Sequence, residues 1–437
     1  MLAELLTRSV WLTLGSAVGR LMPLTVLIWT SRHFDASQFA SGSAGFAWAG
    51  VAMSLTSTGE ATVMTQRLAS QLDSFVRRGL FVRHTGRALL FSAGLAFVVM
   101  AVGESGVRNL FGGAVSGGVI APAALAGVWW ALVVLCVAAL NGCHAPRRAS
   151  ATLAVCGLLQ GSAMAVAIVV FGTAEGMVCG LAAGSGAASV VALLQVRATL
   201  GPLWRDRAPS AAAARRSVGD VSLARNPVLW NTLAAVSVLP VMFFASSLVA
   251  KGPGGTRQLA QFFALEQIHQ VLVYIPAILG QAFLPMITRR ISTLDNRAAR
   301  HELMQRIAKV TVVAAVAGIG LALLIGLQAQ WLVWLLGNAA LDVTDAPAIQ
   351  AMMVNASLAL SLSLLGGAFV GSGHIVMAAV FNLIWGGLVV MLTMIWIEHG
   401  NLGLQAARVS ASLALLMLAL PFLWRYTQWA DRPRGRS

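Results

Sequence analysis

The stretch "RATLGPLWRDRAPSAAAARRSVGDVSLARN", residues 197–226, is strongly polar and carries six arginines in a 437-residue chain that is otherwise overwhelmingly apolar. Its reading decides the fold, because long hydrophobic runs crowd against both of its ends. About 20 consecutive apolar residues suffice to cross a bilayer as a helix. By that measure spans fall before it at about 10–30, 41–63, 86–103, 119–141, 148–171 and 176–195, and after it at about 228–249, 263–287, 309–327, 349–370, 375–397 and 403–424. The polar stretch therefore divides six spans from six. The sequence predicts an all-α integral membrane protein of about twelve transmembrane helices, in two six-helix lobes around a central cleft. The N-terminal lobe is placed at 1–200, a cytoplasmic basic linker at 201–226, and the C-terminal lobe with a short basic tail at 227–437.

Composition agrees. Hydrophobic residues make up 58% and charged residues 10%, where a soluble chain carries roughly 25% charged. Period-2 alternation is absent and the apolar runs are too long for barrel strands, so the spans must satisfy their own backbone groups as helices. The first apolar run has no small-residue cleavage pattern after it and reads as a retained span.

The net charge of +15 would suggest nucleic acid in a soluble protein. Its distribution excludes that partner. Counted by alternate connection, one side of the membrane holds 24 of the 30 lysines and arginines and the other holds 4, with Arg20 and Arg408 inside spans. Cytoplasmic loops carry such an excess, so both termini are expected in the cytoplasm and the basic residues are expected to meet anionic lipid.

Several function classes find no support. Cys136, Cys143, Cys156 and Cys179 lack any CxxC spacing, so neither a disulfide framework nor a metal site is indicated. The two lysines, Lys251 and Lys309, stand outside any GxxxxGK[ST] pattern, and neither HExxH nor GxSxG occurs. No catalytic residue, cofactor or metal is assigned, and the short external loops disfavour an enzyme acting on bulky substrates. "GLAAGSGAAS" contains Gly180, Gly184 and Gly186 in a loose dinucleotide-like spacing, but no strand precedes it, and close helix packing is the expected use.

An internal duplication is also visible. "VWLTLGSAVGRLMPLTVLIWTSRHF" at 10–34 has a counterpart at 229–253, "LWNTLAAVSVLPVMFFASSLVAKGP", and residues 56–69 correspond to 276–291 with Gly59 opposite Gly280. Six spans per unit means both halves enter from the same side, so their pseudo-symmetry axis runs along the membrane normal.

The polar residues inside the spans carry the functional information, because a charge at mid-bilayer costs about 2.5–3.5 kcal/mol on insertion scales. Arg20 lies roughly 15 Å into span 1 at 1.5 Å per residue. It either faces a cavity, where its guanidinium suits phosphate, or hydrogen-bonds a neighbouring helix. Arg408 is a second substrate-binding candidate, with snorkelling to the external surface as its alternative. Glu60 reads as a solvated helix end. Glu266, His269 and Gln270 fall at i, i+3 and i+4 and share one face of span 8. A carboxylate beside an imidazole can hold and release a proton, so these three are candidate ion-coupling residues; internal hydrogen bonding that only orients the helix is the alternative. Asn231, Asn355, Asn382, Gln160 and Gln281 are expected to tie helices together.

Residues 31–69, 258–291 and 331–382, with "HGNLGLQAARVSAS" at 399–412, resemble the polysaccharide transporter, or O-antigen flippase, family of the multidrug/oligosaccharidyl-lipid/polysaccharide exporter superfamily. The resemblance covers most of the chain through spacing of small and apolar residues. Asp35 and Ala40 stand where that family usually has glycine, and Arg408 where it has a small apolar residue. Relatives that flip the lipid-linked peptidoglycan precursor carry a span 1 arginine matching Arg20.

The resemblance implies a bacterial inner-membrane flippase moving a polyprenyl-diphosphate-linked oligosaccharide from the cytoplasmic to the periplasmic leaflet for surface polysaccharide biosynthesis. A coupling proton or sodium ion, membrane lipids and other polysaccharide-assembly membrane proteins are the implied partners. The rival readings are a cation-coupled multidrug exporter of the same architecture and, with less support, a membrane-embedded glycan polymerase or glycosyltransferase.

Overall fold

The structure, a computed structural model, describes residues 2–70, 73–201, 226–273, 297–327, 329–336, 341–372 and 374–425. All regular structure among them is helical. The helices are α1 (Leu2–His33), α2 (Ala36–Ser70), α3 (Ser74–Phe111), α4 (Ile120–Gly142), α5 (Pro146–Phe171), α6 (Ala174–Leu200), α7 (Pro227–Val236) and α8 (Leu239–Lys251). Residues 255–273 form α9. They are followed by α10 (Arg297–Gly326), α11 (Ala329–Leu336), α12 (Ala346–Gly371), α13 (Ile375–Ile395) and α14 (Gly400–Trp424).

Nine helical stretches among the described residues are long and apolar enough to cross a membrane, and they coincide with the expected spans 3 to 7 and 9 to 12. Spans 1 and 2 are α1 and α2. Span 8 is helical through residue 273, beyond which it lies outside the described residues, as do residues 202–225 of the expected linker and the 276–291 half of the second repeat match. Helix faces turned outward are apolar, as at Leu90, Val169, Val313 and Leu324. In water such a surface would be a liability, whereas hydrocarbon solvates it without cost.

Contacts group the chain into two compact units, Met1–Phe263 and Ala264–Ser437. In the first, α1 packs chiefly along α5, α5 along α6, and α2 along α4. Glycine makes these approaches possible. A Cβ placed on Gly157 of α5 would stand 2.0 Å from the Gly19 carbonyl oxygen of α1, and one on Gly15 would stand 2.2 Å from the Ser150 carbonyl oxygen. Gly15/Gly19 and Gly157/Gly161 thus form facing small-xxx-small seams. Gly180 and Gly184 of α6 seat likewise against α5, at 2.5 Å from the Ala163 carbonyl oxygen and 2.7 Å from Gln160 Cα, so the glycine run serves helix packing as expected. Gln160 Nε2 donates to Ser185 Oγ at 2.9 Å across the same seam.

Proline acts differently in the two repeats. Pro23 lies inside the continuous α1; lacking an N–H, it leaves the Gly19 carbonyl without its helical donor. That carbonyl is the one aimed at Gly157, where only Cα hydrogens fit beside it. In the counterpart segment the helix stops at Val236 and resumes at Leu239, with Pro240 in the first turn of α8. The expected span 7 is therefore two helices, the first of which packs on α2: a Cβ on Gly59 would sit 2.2 Å from Thr232 Oγ1.

In α2, several hydroxyls turn back to the helix's own carbonyls. Thr56 Oγ1 donates to the Ala52 carbonyl at 2.8 Å, and Thr65 Oγ1 reaches the Ala61 carbonyl at 2.9 Å and that of Ala138 on α4 at 3.1 Å. A chain rich in such residues keeps its helical ladder in an apolar solvent.

The second unit is built from α10 against α12, α12 against α14 and α13 against α14. Its interhelical glycine approaches are looser. Cβ atoms on Gly318 and Gly326 would stand 3.1 Å and 2.9 Å from Ser357 Cβ and Gln350 Cγ.

Candidate functional site

The 264–273 portion of α9 belongs to the second unit, and its helical period places Glu266, His269 and Gln270 together on one face. On α14 the residues Asn401, Gln405, Arg408 and Ser412 follow at steps of four, three and four, which aligns them in a stripe. The two stripes meet. Arg408 Nη1 donates to Glu266 Oε2 at 2.8 Å, and Gln270 Nε2 donates to Glu266 Oε1 at 2.8 Å. Arg408 Nη2 lies 3.1 Å from His269 Nδ1 and 3.2 Å from Nε2, while Nδ1 is 3.5 Å from Glu266 Oε1. A further contact runs from Arg408 Nη1 to Gln405 Oε1 at 3.3 Å.

Two more helices close the network. Asn355 of α12 contacts His269 Nε2 at 2.9 Å, Ser412 Oγ donates to Asn355 Oδ1 at 3.2 Å, and Trp385 Nε1 of α13 donates to Ser412 Oγ at 3.1 Å. Four helices are thereby linked through one chain of polar side chains. Asn355 ties helices as expected.

Burial is deep. Arg408 is 3% exposed, His269 7% and Asn355 5%. The ionised carboxylate and guanidinium cancel in charge, and both Glu266 oxygens have donors, which is the condition for a buried ion pair to be tolerated. Arg408 Nε is buried with no hydrogen-bond partner among the described residues. The arrangement can store one ion pair and, on neutralisation of Glu266, release the arginine.

The structure thus brings Glu266, His269, Gln270 and Arg408 into one cluster and does not place Arg20 in it. Arg20 lies on α1 of the first unit with an exposed side chain. Arg408, expected to reach either a substrate cavity or the external surface, is instead enclosed by Glu266, His269 and Gln405. Sequence reasoning missed Asn401, Gln405 and Ser412, although their spacing within "GNLGLQAARVSAS" carried the signal. Gln281 lies outside the described residues.

A second acid–imidazole pair was not foreseen. Glu60 of α2, expected as a solvated helix end, bonds through Oε2 to Nδ1 of His84 on α3. His84 is 1% exposed and its Nε2 is buried with no hydrogen-bond partner among the described residues. The correction has a simple cause: α2 and α3 are packed together, so the end of α2 is covered by α3 rather than by water. Among the described residues no group of three or more His, Cys, Asp or Glu side chains is placed to hold a metal ion. The four cysteines are all unpaired.

No protein-family model matches the sequence, and no curated protein matches it in sequence. Solved structures do match in fold. An inward-facing conformation of a multidrug resistance MATE family transporter of the MOP superfamily superposes with a TM-score of 0.69 at 16% identity, over 96% of this chain and 98% of the other. An outward-facing conformation of such a transporter gives 0.64 at 16%, over 97% and 95%. A MOP superfamily transporter from Pyrococcus furiosus, whose binding pocket of reverse polarity suggests a different function for that protein, gives 0.63 at 15%, over 97% and 94%. The chain has the two-lobed all-helical fold of these membrane transporters.

Proposed function

We propose that this protein is a secondary-active flippase that carries a polyprenyl-diphosphate-linked oligosaccharide across the bacterial inner membrane to the periplasmic leaflet, with both of its termini in the cytoplasm. The observation that carries a transport cycle is the Arg408–Glu266 pair, 2.8 Å long, with Arg408 buried and Glu266 largely so. Such a pair is a two-state element. A proton or sodium ion reaching Glu266 would compete with Arg408 for the carboxylate, and a conformer that separates α9 from α14 would then be favoured. His269 and Gln270 position the carboxylate for that exchange. Arg408, held away from solvent, belongs to this coupling element rather than to the substrate.

The substrate reading rests on Arg20 and on the sequence resemblance. A permanent guanidinium on an exposed face of α1 can replace water around a diphosphate headgroup that hydrocarbon cannot solvate, while the polyprenyl tail stays in lipid. We predict that Arg20→Ala abolishes complementation of a deletion strain and that Arg20→Lys retains part of it, the lysine keeping the charge but losing the fork. A fully active alanine variant would remove Arg20 from the headgroup. Glu266→Gln should cost the transporter its response to an imposed proton gradient, measured in proteoliposomes; an unchanged response would eliminate proton coupling at this site.

The second reading, a cation-coupled multidrug exporter, is favoured by the fold likeness to multidrug resistance MATE family transporters. The deciding experiment is the leaflet distribution of lipid-linked glycan in a deletion strain. Accumulation on the cytoplasmic side supports the flippase. Normal surface glycan with raised drug sensitivity selects the exporter.

A further inference from the structure

We infer that the groove between α10 and α14 is a binding site for an anionic phospholipid, separate from the transported substrate. The groove encloses about 680 Å³, within the roughly 300–1,000 Å³ of small-ligand pockets. Val312 and Val313 of α10 form one wall, and Leu420 and Pro421 of α14 the other. At the end where α10 begins and α14 finishes, the lining changes to Lys309, Arg425 and Trp424.

Charge identifies the occupant. Lys309 and Arg425 are exposed, and neither has a side-chain hydrogen bond or ion pair among the described residues. Among the described residues no carboxylate pairs with either of them. Glu302 is the one acid in α10, and it is held by Arg306; α12 and α14 contain no acid at all, and Glu266 of α9 is committed to Arg408. Two cations at the mouth of an apolar groove match a lipid whose acyl chain lies along Val312, Val313 and Leu420 and whose phosphate meets the lysine and arginine heads as their stems run along the walls. Trp424 has the exposed, amphipathic ring typical of the headgroup level. In sequence these helix ends adjoin the arginines of 289–300 and 425–436, and clusters of basic residues favour anionic lipid. A zwitterionic lipid would bring its own ammonium against these side chains and lose the attraction.

The test uses the full chain purified in detergent with equal amounts of phosphatidylglycerol and phosphatidylcholine, followed by native mass spectrometry to count retained lipid. The wild type should retain phosphatidylglycerol preferentially. Lys309→Gln/Arg425→Gln should reduce that retention by roughly thirtyfold, the order expected for two basic contacts, and Val312→Trp should reduce it by filling the groove without altering charge. Lys251→Gln, on α8, should leave it unchanged. Equal retention of both lipids by the wild type, wild-type retention in the double variant, or wild-type retention in Val312→Trp would each overturn the assignment. Displacement of the lipid by millimolar inorganic phosphate would do so too, since a site that phosphate alone can fill has no need of the acyl chain.

Discussion

The two units hold their helices together by different means. In Met1–Phe263 the closest approaches are between backbones, with Gly157 against Gly19 and Gly180 against Ala163, and most buried hydroxyls turn back to their own helix. In Ala264–Ser437 the α10–α12 contacts of Gly318 and Gly326 are looser, and α9, α12, α13 and α14 are joined by side chains, from Gln270 through Glu266, Arg408, His269, Asn355 and Ser412 to Trp385. Between helices in lipid the hydrophobic effect supplies little, leaving close packing and polar cross-links as the two available forces. The first unit relies on packing, which does not switch. The second relies more on a polar network with an ionisable pair at its centre, which under the proposed cycle is the element that switches.

That contrast can be broken at several points. The largest effect is expected for Arg408→Ala, which strands the Glu266 charge in the interior and should destabilise the second unit by about 3–5 kcal/mol, read as lost thermal stability in detergent. Adding Glu266→Gln to it should restore much of the loss; strict additivity of the two changes would mean the pair is not coupled. Gly157→Leu comes next, forcing α1 off α5 at a cost of about 1–3 kcal/mol or more, measured the same way, and no carboxamide or charge change elsewhere should rescue it. A variant as stable as the wild type would show that the α1–α5 seam does not carry the first unit.

The smallest effect, about 1 kcal/mol, is expected for Glu60→Gln, because the amide still reaches His84 Nδ1 and the orphaned Nε2 is untouched. A loss as large as that of Arg408→Ala would make the two acid–imidazole pairs equivalent and erase the distinction between the units.

Much of this was legible in the residues. Apolar length fixed the spans, and helical spacing put Glu266, His269 and Gln270 on one face before any coordinates. The spacing of Asn401, Gln405, Arg408 and Ser412 was equally plain, yet it could not say that their stripe faces α9, because pairing between helices distant in sequence is a tertiary fact. His84 was hidden for the same reason: it sits among arginines at the entrance to span 3, where a solvated loop is the ordinary expectation, and only the packing of α3 on α2 brings it to Glu60. Proline was ambiguous in principle. Pro23 and Pro240 occupy comparable repeat positions, and which of them interrupts its helix depends on the neighbour that braces it, α5 in the case of Pro23.

The α1–α5 seam has a consequence for how the chain is made. Three helices, α2 to α4, are synthesised between its two sides, so α1 enters the bilayer with its freed Gly19 carbonyl and its bare glycine edge long before the α5 surface that packs on them exists. Insertion of the first helix must therefore be reversible or sheltered until the fifth emerges, and the residence of α1 beside the insertion machinery becomes a step on which the yield of folded protein depends.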